Sequence, residues 1–417
     1  MLYRFAWVLM WVTFKIFFRR IDIIGLEKVQ SGKPAIIIAN HPASFLDAMV
    51  LAVFLKRSIH FYVRGDIFAH PIAYRILTML HMVPIFSREH GVRNLEKNKR
   101  TFDRGRKLLE SGKLLLIFPE GFSRQSKQLE PFKKGAARVA LQTAFEGAKV
   151  DQLQIQTIAI NYTFHHLGSN LLIHLGDSIT LDSFEEQYKA FPAMAIANLN
   201  KVMSNVFQQN VIHVKDGNRT NFVESLIAMF YHNYNVKGDQ LFDHFTAICK
   251  KVDQLSEEDF LICENDLINY QKQLLDYRLT DNSIMSSKQN ILKQFYFVCC
   301  LAPFALLGQL IWWIPARVSI WIANKTVTRI DFYTSVLSGV LGFMGFFWWL
   351  LLVLLVNNFL NTAAVVLALC SPVFGYIFMQ WEKGQIDFFA RLRILKMKKT
   401  HPREVERLFD QRARIMA

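Results

Sequence analysis

The sequence predicts an α/β domain built on a mostly parallel sheet flanked by helices, followed by a helical accessory region and C-terminal transmembrane helices. Three observations carry this reading. Between residues 21 and 182, short apolar runs alternate with helical stretches, the pattern of a parallel sheet with helical crossovers. From 183 to 293 the composition turns polar and helical, with Asn, Gln, Asp and Lys between spaced apolar residues. Beyond 294, two runs at 333–356 and 362–381 carry almost no charge and are long enough to cross a bilayer, which takes about 20 apolar residues.

Taken in order, residues 1–20 hold an apolar stretch at 5–14 followed by Lys15, Arg19 and Arg20. That stretch is shorter than a span, and no small-residue cleavage site follows it. It reads as an interfacial helix that holds the next domain against the membrane. In the domain at 21–182, strands are expected at 35–39, 59–63, 114–118, 155–160 and 171–175. Helices are expected at 44–56, 67–82, 93–110 and 134–145. Sheets of this kind place their sites at the carboxyl ends of strands. The accessory region at 183–293 is split at Asp216-Gly217-Asn218 and around Gly238, and no catalytic constellation is visible in it.

The membrane region covers 294–381. Arg317, Lys325 and Arg329 precede the two long runs, and Arg391, Arg393, Lys396, Lys398 and Lys399 follow them. The positive-inside rule then places both flanks, and the catalytic domain, in the cytoplasm. A third apolar run at 295–316 has basic residues at both ends, so it either spans against the charge rule or is re-entrant. Pro303, Gly308 and Pro315 favour a re-entrant or in-plane hairpin broken at those positions. Residues 382–417 read as a basic cytosolic tail.

Composition agrees with membrane contact. Apolar residues make up 52% of 417, with 36 Phe and 8 Trp, and the formal net charge is +15. A charge of that sign calls for an anionic partner. The aromatics lie in apolar blocks and do not alternate with Lys and Arg, which favours membrane lipids and phosphorylated substrates and argues against nucleic acid. Five cysteines show neither metal-ligand nor disulfide spacing. The adjacent His165-His166 pair is unsuited to chelating one ion, so no metal is expected.

The most informative stretch is Asn40-His41-Pro42-Ala43-Ser44-Phe45-Leu46-Asp47, directly after the first expected strand. A histidine with a carboxylate nearby can remove a proton from a hydroxyl, the carboxylate setting the tautomer and stabilising the imidazolium. On one continuous helix, residues six apart point about 120° from each other, so the pair meets only if the chain turns between them. Pro42 and Ser44, the latter as a helix N-cap, suit such a turn. Ser44 as a nucleophile is the rival, and it lacks the G-x-S-x-G elbow.

A second stretch, Phe118-Pro119-Glu120-Gly121-Phe122-Ser123-Arg124, follows the strand expected at 114–118. Glu120 can accept from hydroxyls, Gly121 permits close backbone approach, and Arg124 can pair with a phosphate. Lys127, Lys133 and Lys134 follow. Between the two stretches, Val83-Pro84-Ile85-Phe86-Ser87-Arg88 places another arginine after a strand-like run.

In this order the pieces resemble the glycerolipid acyltransferase family, which includes glycerol-3-phosphate and lysophosphatidic acid acyltransferases. Asn40 to Asp47 resembles its first block, Val83 to Arg88 its second, and Phe118 to Arg124 its third. Leu129-Glu130-Pro131-Phe132-Lys133-Lys134-Gly135 continues in the family's manner, and 155–160 stands where the fourth block falls. Three departures stand out. Five residues separate His41 from Asp47 where the family usually has four, as in its branch of fungal-type glycerol-3-phosphate and dihydroxyacetone-phosphate acyltransferases. Phe122 replaces a usual threonine or serine, and the fourth block lacks its usual proline.

The resemblance implies a glycerol-phosphate acyltransferase-like fold and an O-acyltransferase without a cofactor. It would take acyl-CoA or acyl carrier protein as the thioester donor, and glycerol phosphate or lysophosphatidate as the acceptor. It implies His41 as general base, Asp47 as the residue that orients it, and Arg88, Glu120, Gly121 and Arg124 as the acceptor site, assisted by Lys133 or Lys134. The alternatives are an acyltransferase for another lipid acceptor, a lysophospholipid or an amino-acid lipid, and a non-catalytic membrane scaffold. Loss of His41 or Glu120 would mark the scaffold, and both are present.

Overall fold

The structure is a computed structural model. It describes every residue except 30–31, 56, 87–92, 147–149, 151, 234–235, 237, 286–290, 360–361 and 417, and except the side chains of 93–99, 232–233 and 359. The described strands are β1 (Arg20–Ile24), β2 (Ala35–Ala39), β3 (Ile59–Arg64), β4 (Met82–Ile85), β5 (Leu114–Ile117), β6 (Gln154–Tyr162) and β7 (Asn170–Thr180). They form one sheet in the order β1-β7-β6-β2-β5-β3-β4. Strands β6, β2, β5, β3 and β4 run parallel, and β7 with its parallel partner β1 runs the other way.

Strand β2 lies at the centre, and all five of its residues are buried. Its β-branched isoleucines face two apolar layers in alternation, as expected of a strand covered on both faces. Ile37 points into a core with Phe14, Leu46, Leu51 and Leu116. Ile36 and Ile38 point into another, with Ala137, Leu141, Leu199 and Phe207. Each such side chain contributes roughly 1.5–3 kcal/mol by leaving water. Strand β1 was not among the expected ones. Its alternation of Arg20 and Asp22 with isoleucines suits a half-buried edge, a weaker signal than a continuous apolar run.

The helix Leu2–Phe17 buries Met10, Thr13, Phe14 and Phe17 and leaves Phe5, Trp7, Val8 and Trp11 exposed. Helices Phe45–Phe54 and Gly135–Phe145 cover opposite faces of the sheet. The packing of the sheet runs across the division drawn at 183. Helix Pro192–Gln208 places Ala195, Leu199, Met203 and Phe207, four apart, in the same core as Ile36 and Ile155. Beyond it, helices Thr220–Asn233, Asp239–Gln254, Glu257–Asp276 and Asp281–Met285 build a third core, which also takes in Ile24 and Leu172 of the sheet.

Three expectations are corrected here. The segment 382–417 is not a tail: helix Ser371–Thr400 runs through its first half and helix Pro402–Met416 forms the second. Val405, Leu408 and Ile415 are buried in the accessory core, and Arg412 pairs with Asp281 at 2.8 Å. Charge counting hid that apolar stripe. Nor is 295–316 broken at its prolines, because Ile291–Thr326 is one helix with Pro303 and Pro315 inside it. Gly308 brings it against the Phe374 carbonyl of helix Ser371–Thr400, where a Cβ would approach to 2.1 Å. Close packing along a neighbour holds the helix through both prolines. Among the described residues, Ile291–Thr326 and Ile330–Asn358 are long and apolar enough to cross a membrane. The run expected at 362–381 is instead divided between Thr362–Leu369 and Ser371–Thr400, bent by 51°.

Candidate active site

The first loop leaves the carboxyl end of β2. Asn40 clamps it to β6 with two bonds: its Nδ2 donates to the Ile160 carbonyl and its Oδ1 accepts from the Ile160 N–H, both at 2.8 Å. After His41 the chain turns sharply through Ser44, at φ +50°, before helix Phe45–Phe54 begins. A positive φ at a residue with a Cβ costs on the order of 1–3 kcal/mol. The turn brings Asp47, on the first turn of that helix, back to His41. Asp47 Oδ2 lies 2.9 Å from His41 Nδ1 and accepts the Ala43 N–H at 2.9 Å, while Oδ1 accepts the Tyr162 hydroxyl at 2.8 Å. Asp47 is fully buried. The His41 ring stacks on Phe118, with centroids 3.8 Å apart and planes 8° from parallel.

With Asp47 a carboxylate, Nδ1 carries the proton, and Nε2 is the nitrogen left to accept one from a substrate hydroxyl. The ring is thus fixed in plane and in tautomer by groups that have no freedom of their own.

Ser44 stands at the N-cap position, but its side chain makes no capping bond. The expected cap is replaced from outside: the Leu46 N–H donates to Ser335 Oγ at 3.0 Å, and Ser335 Oγ donates to the Ala43 carbonyl. Ser335 lies in helix Ile330–Phe359. The start of that helix also reaches the second loop. Asp331 accepts from Ser123 Oγ, and Arg329 donates to the Ser123 carbonyl at 3.3 Å and to Asp331 at 2.9 Å.

The second loop leaves the carboxyl end of β5 and joins the first at His41. The buried Glu120 carboxylate accepts the His41 N–H, and the Arg124 N–H donates to the His41 carbonyl at 3.0 Å. Burial pushes the Glu120 carboxyl up to about 8; the His41 N–H opposes the shift, and the Glu130 and Asp47 charges add to it. Near neutral pH, Glu120 is therefore mostly protonated. It can donate a hydrogen bond to an acceptor oxygen and does not repel a phosphate.

Gly121 takes φ +78°, a backbone conformation that residues with a Cβ rarely adopt, so this position favours glycine. Lys133 Nζ sits over the Phe122 ring at 5.5 Å. Arg124 pairs with Glu130 and keeps 60% of its side chain exposed.

One cleft is lined by His41, Glu120 and Arg124, with Asp47 behind His41. Gly121, Lys133 and Lys134 lie outside its lining, and Arg88 falls outside the described residues. The cleft also contains residues that the sequence did not single out as a site. Lys127 is buried, donates to the Tyr162 carbonyl at 2.7 Å and lies 3.7 Å from Glu224. His165 Nε2 lies 3.6 Å from the same Glu224 carboxylate. Tyr162 ends a strand whose apolar run was legible, but its hydroxyl partner is 115 residues away. Glu224 comes from the accessory helix Thr220–Asn233, where no local pattern marks it. No group of three or more His, Cys, Asp or Glu suited to a metal occurs among the described residues.

The acyltransferase family model matches residues 20–161. A chloroplastic 1-acyl-sn-glycerol-3-phosphate acyltransferase of Arabidopsis thaliana is 35% identical over 136 residues, covering 32% of this chain and 36% of that protein. A chloroplastic relative of the same description from Brassica napus is 32% identical over 136 residues, covering 32% of this chain and 38% of its own length. The chain thus spans little more than a third of these curated relatives. Among solved structures, the 1-acyl-sn-glycerophosphate acyltransferase of Thermotoga maritima aligns with a TM-score of 0.36 and 17% identity, over 50% of this chain and 77% of that one. By the family-model match, residues 20–161 are an acyltransferase domain.

Proposed function

We propose that the chain is a membrane-bound O-acyltransferase of phospholipid biosynthesis. It moves a fatty acyl group from a thioester, on coenzyme A or acyl carrier protein, to a hydroxyl of glycerol 3-phosphate or 1-acyl-glycerol 3-phosphate. The observation that carries this reading is the pairing of His41 with the buried Asp47 at the rim of a cleft that also holds Glu120 and Arg124. The names of the matching relatives support a glycerolipid acceptor.

In this mechanism His41 Nε2 takes the proton of the acceptor hydroxyl as its oxygen attacks the thioester carbonyl. The C–O bond forms, the C–S bond breaks, and the proton passes from the imidazole to the departing thiolate. Asp47 stabilises the imidazolium in between. Glu120, in its protonated form, orients the acceptor. Arg124 draws in the phosphate, with Arg88, Lys133 and Lys134 extending the positive field. The chain's own residues supply positioning and proton transfer, and the scheme calls for no cofactor or metal. The basic residues flanking the apolar helices support a catalytic domain that faces the cytoplasm.

The test is an assay of purified protein in lipid, with each acceptor against each donor and the product identified by mass. Transfer by the native chain and none by His41→Ala is the expected result. Undiminished turnover by His41→Ala would remove the base assignment.

A further inference from the structure

We infer that helix Ile291–Thr326 lies along one leaflet of the bilayer instead of crossing it, and that its exposed apolar stripe is a lipid-binding surface of this chain. Length and hydropathy suit a span. The contacts at its two ends do not.

At the C-terminal end, Ala323 is fully buried and Ile320 packs against the same core, which holds Phe14 and Leu46 under the sheet. A few residues on, Arg329 and Asp331 are bonded to Ser123 of the catalytic loop. At the N-terminal end, Gln294 accepts from Arg391 and Phe295 packs on Phe388. Next to Phe388, Asp387 accepts from Thr280 and Asn282 of the accessory region.

The accessory region and the sheet form one packed body. Ile24 and Leu172 lie in the accessory core, and the Lys127 N–H donates to Thr220 Oγ1 at 3.1 Å. Both ends of a helix of 36 residues, about 54 Å long, therefore rest on the same body. A crossing helix would separate its ends by a hydrocarbon layer of about 30 Å and leave one set of these contacts on the far side.

The charges along the helix agree. Arg317 and Lys325 are exposed, and each cation sits over an exposed indole: Arg317 over Trp313 at 5.9 Å and Lys325 over Trp321 at 5.0 Å. On a helix in the plane, both pairs reach headgroup level, the place that Trp, Lys and Arg favour. Tyr296, Leu306, Leu310, Trp313 and Trp321 recur at helical spacing along the exposed side, and Leu310 is 76% exposed. Arg317 lies within that stripe, one turn from both Trp313 and Trp321, so what meets it is the headgroup level of a leaflet containing anionic lipid.

Two measurements test this, and neither depends on the proposed reaction. In the full chain with its five cysteines replaced, single cysteines are introduced as Lys293→Cys, Lys325→Cys and, in the soluble body, Lys189→Cys. Sealed vesicles of one orientation are then treated with a membrane-impermeant maleimide. All three are expected to label from the same side; opposite sidedness for the two helix ends would overturn the inference. The second measurement spares the native cysteines. Trp313→Phe and Trp321→Phe are compared with the native chain for fluorescence quenching by lipids brominated near the headgroup or near the chain end. Both tryptophans are expected to be quenched best by the shallow label. Strongest quenching of Trp313 by the deep label would overturn the inference.

Discussion

The loop after β2 and the loop after β5 meet at His41, yet they are built in opposite ways. In the first, Asp47 is fully buried and has a partner on each carboxylate oxygen, and the turn is braced by Ser335 from a helix far along the chain. In the second, Arg124 is largely exposed, and Lys133 and Lys134 lie outside the cleft lining. The difference suits the two tasks proposed for the loops. Proton transfer needs donor and acceptor within hydrogen-bond reach, so small displacements are costly. Attraction of a phosphate falls off slowly with distance and tolerates mobile side chains.

Substitutions can break that contrast or sharpen it. The largest effect is expected from His41→Ala, with kcat reduced about 100- to 10,000-fold while the protein stays in the membrane fraction, measured on purified protein in lipid. Asp47→Asn keeps the shape but no longer selects the Nδ1–H tautomer. A loss in kcat of about 100-fold or more is expected, with little change in the KM of the thioester.

Ser335→Ala tests the brace on the rigid loop. It removes one partner of the buried Leu46 N–H and of the Ala43 carbonyl, a change worth about 1–3 kcal/mol. We expect kcat to fall about tenfold, with substantial recovery in Ser335→Thr, which retains the hydroxyl. If both variants behave alike, the hydroxyl is not what braces the turn.

Glu120 connects the two loops and should show itself in stability against pH. Its carboxyl is raised to about 8 in the folded chain. The folded state therefore holds this proton more tightly than the unfolded chain does. Its contribution is full below the ordinary carboxylate value of 4.5 and is lost as pH rises through about 8. Thermal unfolding should accordingly show a smaller decline over that window in Glu120→Gln than in the native chain.

The smallest effects belong to the exposed cations. Arg124→Ala should raise the KM of the phosphorylated acceptor more than it lowers kcat and should weaken the dependence on salt, and Lys134→Ala should do the same to a lesser degree. A large fall in kcat for either would place that cation among the rigidly held groups and erase the contrast.

Where the site was legible in the sequence, its parts were contiguous. His41 and Asp47 lie in one short stretch, Glu120 and Arg124 in another, and both follow apolar runs that mark β2 and β5. A run buried on both faces announces itself in any window, whereas β1, half-buried at the edge, does not. The same limit hid helix Pro402–Met416, where a narrow apolar stripe lies among many charges. It also favoured breaking Ile291–Thr326 at its prolines, because the neighbouring helix Ser371–Thr400 that packs along it is distant in sequence.

The chain's own order of residues therefore determined the parallel sheet, the imidazole and carboxylate at its rim, and the cationic loop beside them, since each is written in a few adjacent positions. Only the tertiary structure decided that Tyr162 holds Asp47, that Ser335 braces the turn from 292 residues away, and that Glu224 closes the cleft from the accessory region. The physical reason is that a hydrogen bond depends on where two groups meet in space. A polar residue carries no local sign of the distant partner it will find once the apolar cores have closed.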